Sequence, residues 1–195
     1  MSQSILSSGE DFMKIDHPTT ENAVLLLVDV QGKLARIMHD SEAMIRQQAI
    51  LVEACRLLDV PVVWAEQVPD KLGPTVPELS EKLDGCSALG KSSFGCWGDD
   101  ALRQSIIKSG RDRVLLAGIE AHVCVWQTAA ALTQNDFQVH VIADAISSRS
   151  AFNRDIALQR MAAAGIHLSN VEMALFEMMG DATHPRFRDV SRLLR

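Results

Sequence analysis

The sequence lacks several features that would assign it quickly. No apolar run is long enough to span a bilayer; the longest are short, such as Ala23 to Val28. The stretch Met1 to Asn22 is polar and has no apolar signal core, which predicts a cytoplasmic protein with no membrane partner. There is no basic excess either. Lys plus Arg is 19 against 25 Asp plus Glu, a formal charge of −6, so a broadly basic nucleic-acid-binding surface is excluded. The four cysteines, Cys55, Cys86, Cys96 and Cys124, form no CxxC pair and are too few for a disulfide scaffold; they read as free thiols. The six histidines show no HxH or HExxH spacing, and no zinc pattern surrounds Cys86 or Cys96. GxGxxG is missing, which argues against a dinucleotide cofactor.

What is present is an ordinary folded composition: 195 residues, 47% hydrophobic and 23% charged. That length suits one domain, residues 23–195, behind the polar extension 1–22. Ala23 to Val30 is a continuous apolar run, as expected of a strand buried on both faces. Ser41 to Leu58 has helical periodicity, and Val60 to Glu66 is a second strand. A proline- and glycine-rich loop follows, with a short helix at Glu78 to Leu83. A helix opens at Asp99 or Asp100 and closes at Gly110. Arg113 to Ile119 is a strand, His122 to Asn135 a helix, and Gln138 to Ala145 a strand. A helix from Ser150 to Gly165, a short strand at Ile166 to Ser169, a helix from Asn170 to Gly180 and a last helix with Pro185 in its first turn complete the pattern. Apolar strands alternating with amphipathic helices specify βαβ units, hence a three-layer αβα fold with a Rossmann-like parallel sheet. Working groups in such folds lie at the carboxyl ends of strands. These ends are Asp29 to Gln31, Glu66 to Gln67, Ile119 to Cys124 and Asp144 to Ser148.

Three residues there have reactive chemistry. Cys124 follows a strand and begins a helix, where the dipole would lower the thiol pKa and free amides would hold an oxyanion. The alternative is a small apolar residue packing helix on sheet. Asp29 ends the most apolar strand, either as a base for the thiol or as a helix cap. Lys91, among Gly85, Gly90, Gly95 and Gly98, reads as a loop lysine: solvated, or close enough to a thiolate to stabilise it. Gly85 to Ser92 also matches the phosphate-binding pattern GxxxxGK[ST], the basis for an alternative nucleotide-binding function. Yet it lacks the preceding apolar strand and the following helix that a P-loop requires. His122, two residues before Cys124, would point away from it on a helix.

These segments, DVQ at Asp29 to Gln31, GK at Gly90 to Lys91 and GIEAHVCV at Gly118 to Val125, resemble the isochorismatase-like cysteine hydrolases in order and spacing. The resemblance extends from Ala23 to about Gly180 and is closest to the isochorismatase domain-containing branch. It implies a six-stranded parallel sheet in the order 3-2-1-4-5-6, with a strand near Cys86 to Gly90 that periodicity does not reveal. It implies Asp29, Lys91 and Cys124 as the catalytic triad and a cis peptide joining Ile119 to Glu120. The backbone N–H groups of Glu120 and Cys124 would form the oxyanion hole. The implied reaction is hydrolysis of a small amide-type C–N bond through a thioester, with no cofactor. Gln31, Trp64, Gln67 and Phe94 are candidates for the substrate pocket. The zinc-dependent nicotinamidases carry an aspartate and histidines after the second strand, where this chain reads Trp64 to Pro69 without histidine, so no metal is expected. The expected partners are a small-molecule substrate and further copies of the chain; Met178 and Met179 read as exposed and suited to such contact. The rival function is a non-catalytic oligomeric binding or scaffold protein of the same fold.

Overall fold

The computed structural model describes residues 17–195; residues 1–16 of the polar extension lie outside the described residues. In chain order the elements are β1 (Ala23–Val28), α1 (Gly32–Arg36), α2 (Ser41–Leu57), β2 (Val62–Gln67), α3 (Pro69–Leu72), α4 (Pro77–Ser80) and β3 (Leu89–Lys91). After a 3-10 turn at Cys96–Gly98 come α5 (Asp100–Lys108), β4 (Arg113–Ile119), a π-helical turn (Ala121–Val125) and α6 (Trp126–Thr133). The remainder is β5 (Gln138–Ser147), α7 (Ala151–Ala163), β6 (His167–Ser169), α8 (Val171–Met179) and α9 (Phe187–Leu193). The strands form one all-parallel sheet in the order β3-β2-β1-β4-β5-β6.

Side-chain alternation along β1 divides the core. Ala23, Leu25 and Leu27 join a cluster with α2 and α8, including Leu51, Val52 and Leu175; Val24, Leu26 and Val28 join the opposite cluster with Leu102, Ile106 and Leu132 from α5 and α6. Each strand residue is therefore covered on one side or the other, which is why the run carries no polar alternation. Helix starts follow local chemistry. Asp99 accepts from the Ala101 and Leu102 amides, Ser150 Oγ from Asn153 N, and Asn170 Oδ1 from Met173 N.

The structure corrects three sequence readings. The strand that periodicity missed is Leu89–Lys91, slightly past the expected Cys86–Gly90, so Lys91 ends a strand instead of sitting in a loop. Met178 and Met179 are buried in the α2–α8 layer. The segment beginning near His122 is a wide π turn before it becomes α6 at Trp126. Among the described residues no helix is long and apolar enough to cross a membrane.

One glycine fixes how closely β1 and β4 approach below the site. Gly118 pairs with Val28 and holds φ +125 at the point where the β4–β5 register shifts. A Cβ there would lie 2.1 Å from the Val28 carbonyl oxygen, so glycine alone permits this approach.

Candidate active site

The strand order reverses between β1 and β4, the position where parallel α/β sheets open a crevice at their carboxyl ends. Asp29 leaves β1 there with φ 57, a left-handed backbone that asparagine and aspartate tolerate best. Cys124 enters from the turn after β4, and Lys91 ends β3 on the far side of β2. The fold thus brings three distant positions together. Lys91 Nζ donates to Asp29 Oδ2 at 2.7 Å, with both side chains almost fully buried. The Cys124 thiol lies beside the same carboxyl group, and each shifts the other's titration. Asp29 Oδ1 is buried and has no hydrogen-bond partner among the described residues.

Burial dominates the electrostatics. It raises Asp29 above the ordinary carboxyl value, with Lys91 and the thiol opposing that rise. It also pushes Cys124 up to about 12, helped by the neighbouring Asp29 charge and opposed by Lys91. The low thiol pKa expected from the helix start is therefore not what the structure produces. Desolvation and an adjacent carboxylate outweigh the lysine, so the thiol holds its proton more tightly than an ordinary cysteine.

The backbone around the nucleophile is distinctive. The Ile119–Glu120 peptide is cis. The Glu120 carbonyl accepts from the amides of Val123 at 3.0 Å and Val125 at 3.2 Å, skipping that of Cys124. The Glu120 carboxylate turns outward to the Arg149 amide at 3.1 Å and its Nε at 3.0 Å. His122 Nδ1 lies 2.9 Å from Ser148 Oγ. Arg149 lies outside the motifs, His122 lies within GIEAHVCV, and the signal for Ser148 is its place just after β5.

The four pocket candidates separate. Gln67 Oε1 accepts from Lys91 Nζ at 2.6 Å. Gln31, fully buried, donates to Gln67 O at 3.1 Å and Gly73 O at 2.7 Å and accepts from Gln67 N at 2.7 Å. Trp64 Nε1 donates to Thr75 Oγ1 at 2.7 Å, and Thr75 is bound in turn by Glu66, so these residues fasten the loop after β2. The Phe94 side chain is exposed, while its carbonyl accepts from Lys91. In the Gly85–Ser92 segment the lysine is committed to Asp29 and no helix begins at Ser92, so no phosphate cradle exists there. Among the described residues no three His, Cys, Asp or Glu side chains form a metal-binding group.

This sheet order, with reactive side chains at its switch point, defines an isochorismatase-type hydrolase fold. The chain belongs to the isochorismatase family: the isochorismatase domain matches residues 23–173. Isochorismatase domain-containing protein 2 of Danio rerio is 39% identical over 178 residues, covering 90% of this chain and 88% of that one. Among solved structures, the MAR1 ribonuclease of Caenorhabditis elegans is 34% identical with a TM-score of 0.87, covering 92% of both chains. YcaC of Escherichia coli, an octameric hydrolase of unknown specificity, shares the fold at 21% identity and a TM-score of 0.82, covering 91% of this chain and 94% of that one.

Proposed function

We propose that this protein is a cysteine hydrolase that cleaves a small amide-type carbon–nitrogen bond through a thioester on Cys124. The observation that carries the reading is the buried Lys91–Asp29 ion pair at 2.7 Å, whose carboxyl group is also coupled electrostatically to the Cys124 thiol. A carboxylate with a raised pKa beside a neutral thiol is suited to take its proton as the sulfur attacks.

In the first half-reaction the Cys124 sulfur bonds to the substrate carbonyl carbon while its proton passes to Asp29. The amides of Glu120 and Cys124 hold the oxyanion, an effect worth about 3–4 kcal/mol per donor in comparable sites. The C–N bond then breaks and Asp29 returns its proton to the departing amine. In the second, water attacks the thioester and Asp29 takes its proton; the C–S bond then breaks, the carboxylic acid leaves and Asp29 returns the proton to the sulfur. The fixed Lys91 charge offsets the negative charge of both stages. The scheme uses no metal or cofactor, because Asp29 supplies the base and Lys91 the charge.

The test is a screen of small amides, ureides and carbamates, with acid-quenched mass spectrometry of any reacting mixture. The expected result is an acyl adduct on the peptide containing Cys124, with the amine released in the first turnover. RNA belongs in the same screen, given the name of the C. elegans relative. RNA cleavage without any adduct on Cys124 would overturn the amide reading. By likeness to the octameric YcaC, we also propose that the chain forms a homo-oligomer. Light scattering should return a whole multiple of the chain mass, and a monomer at micromolar concentration would refute it.

A further inference from the structure

Lys91 sits in a cage of acceptors. Its Nζ faces Gln67 Oε1 at 2.6 Å, Asp29 Oδ2 at 2.7 Å, the Phe94 carbonyl at 3.0 Å and the Ser93 carbonyl at 3.2 Å. An ammonium has three protons, so four acceptors leave none for a substrate. Lys91 therefore acts as a fixed charge and not as a hydrogen-bond donor to the reacting group. One of the four acceptors changes during the cycle: Asp29 loses its negative charge when it takes the thiol proton. Asp29 then accepts only as a neutral group, more weakly, and the unchanged acceptors are two backbone carbonyls and one side chain, that of Gln67.

Gln67 is itself immobilised. It is the last residue of β2 and pairs in register with Lys91 across the β2–β3 ladder. Its Nε2 donates to the Ser92 carbonyl at 2.9 Å, which turns Oε1 toward the ammonium. Its backbone amide and carbonyl are both bound by the fully buried side chain of Gln31, at 2.7 and 3.1 Å, and Gln31 is anchored again on Gly73. A chain of amides thus runs from Gln31 through Gln67 to Lys91.

We propose that Gln67 is a positioning residue that fixes the Lys91 ammonium beside the nucleophile throughout the reaction, with Gln31 holding Gln67 in place, and that neither residue contacts the substrate. The role in turnover rests on the hydrolase reading above; the effect on the cysteine does not.

The experiment is alkylation of Cys124 by iodoacetamide as a function of pH, with the label located by peptide mass spectrometry and Cys124→Ala as the blank. The Lys91 charge favours the thiolate. If Gln67→Leu lets the ammonium drift, alkylation near neutral pH slows about tenfold and its profile moves to higher pH, the effect of losing about one pKa unit of stabilisation. Gln67→Met, with a weak sulfur acceptor of similar reach, falls between wild type and Gln67→Leu. Circular dichroism checks the fold, and Gln67→Met carries the test alone if Gln67→Leu does not fold. Superimposable profiles for wild type and folded variants would overturn the proposal. So would a variant that raises KM for an amide substrate while its alkylation profile stays at the wild-type position, since that marks a substrate contact. Turnover retained by Cys124→Ala would instead defeat the hydrolase reading and leave the alkylation comparison intact.

Discussion

Cys124→Ala abolishes turnover of any amide that the wild type cleaves, with a loss on the order of 10⁶-fold, the scale seen when a nucleophile is removed from a triad that acts as a unit. The fold survives the change. The substitution deletes one sulfur atom from a buried wall, at a cost of about 1 kcal/mol, as for one buried methylene. Cys124→Ser is equally inactive, because a hydroxyl holds its proton far more strongly than a thiol and Asp29 is a weak base for it. The measurement is steady-state turnover together with the thermal midpoint of each variant. Activity within a few-fold of wild type in a folded Cys124→Ala protein would end the covalent mechanism on Cys124.

Lys91→Met destabilises the protein at neutral pH by about 3–5 kcal/mol, the usual consequence of removing one partner from a buried ion pair. The loss comes from the carboxylate that remains, so it depends on pH. Asp29 already titrates above its unfolded value of 3.8, because burial outweighs the attraction of Lys91. Without the lysine the folded value rises further. A carboxyl group with a raised folded pKa binds its proton more tightly when folded, so its destabilisation grows as pH rises above the unfolded value and levels off beyond the folded one. The deficit of Lys91→Met should therefore be largest at neutral pH and shrink as pH falls toward 3.8. Urea unfolding from pH 7 down to the acid limit measures this directly. A deficit that is constant with pH would show that Asp29 is not the group responsible. The double variant Asp29→Asn, Lys91→Met removes both charges and should recover part of the loss at neutral pH, because an amide is far less costly to bury than an unpaired carboxylate.

The sheet was largely legible in the sequence because its central strands are buried on both faces. A run such as Ala23–Val28 has few other places to go. Strand β3 was not legible from periodicity. It has three residues, one of them glycine, and it is a strand only because Ala65, Glu66 and Gln67 lie alongside to pair with it. Met178 and Met179 look exposed in the sequence for a related reason: amphipathicity gives the face of a helix, but the α2 layer that covers this one is supplied by residues far away in the chain.

By itself the sequence determined the alternation of strands and helices, the chemical types at the strand ends and the motif spacing that goes with this family. It did so because burial on both faces and helix capping are written in local pattern. The tertiary structure decided how those groups meet. It brought Lys91 onto Asp29 across 62 positions of chain and set Gln67 opposite Lys91 through the β2–β3 register. It also reversed the expected state of the thiol. A cysteine at a helix start looks activated in isolation, whereas desolvation and a carboxylate drawn from another strand keep its proton on until a base removes it.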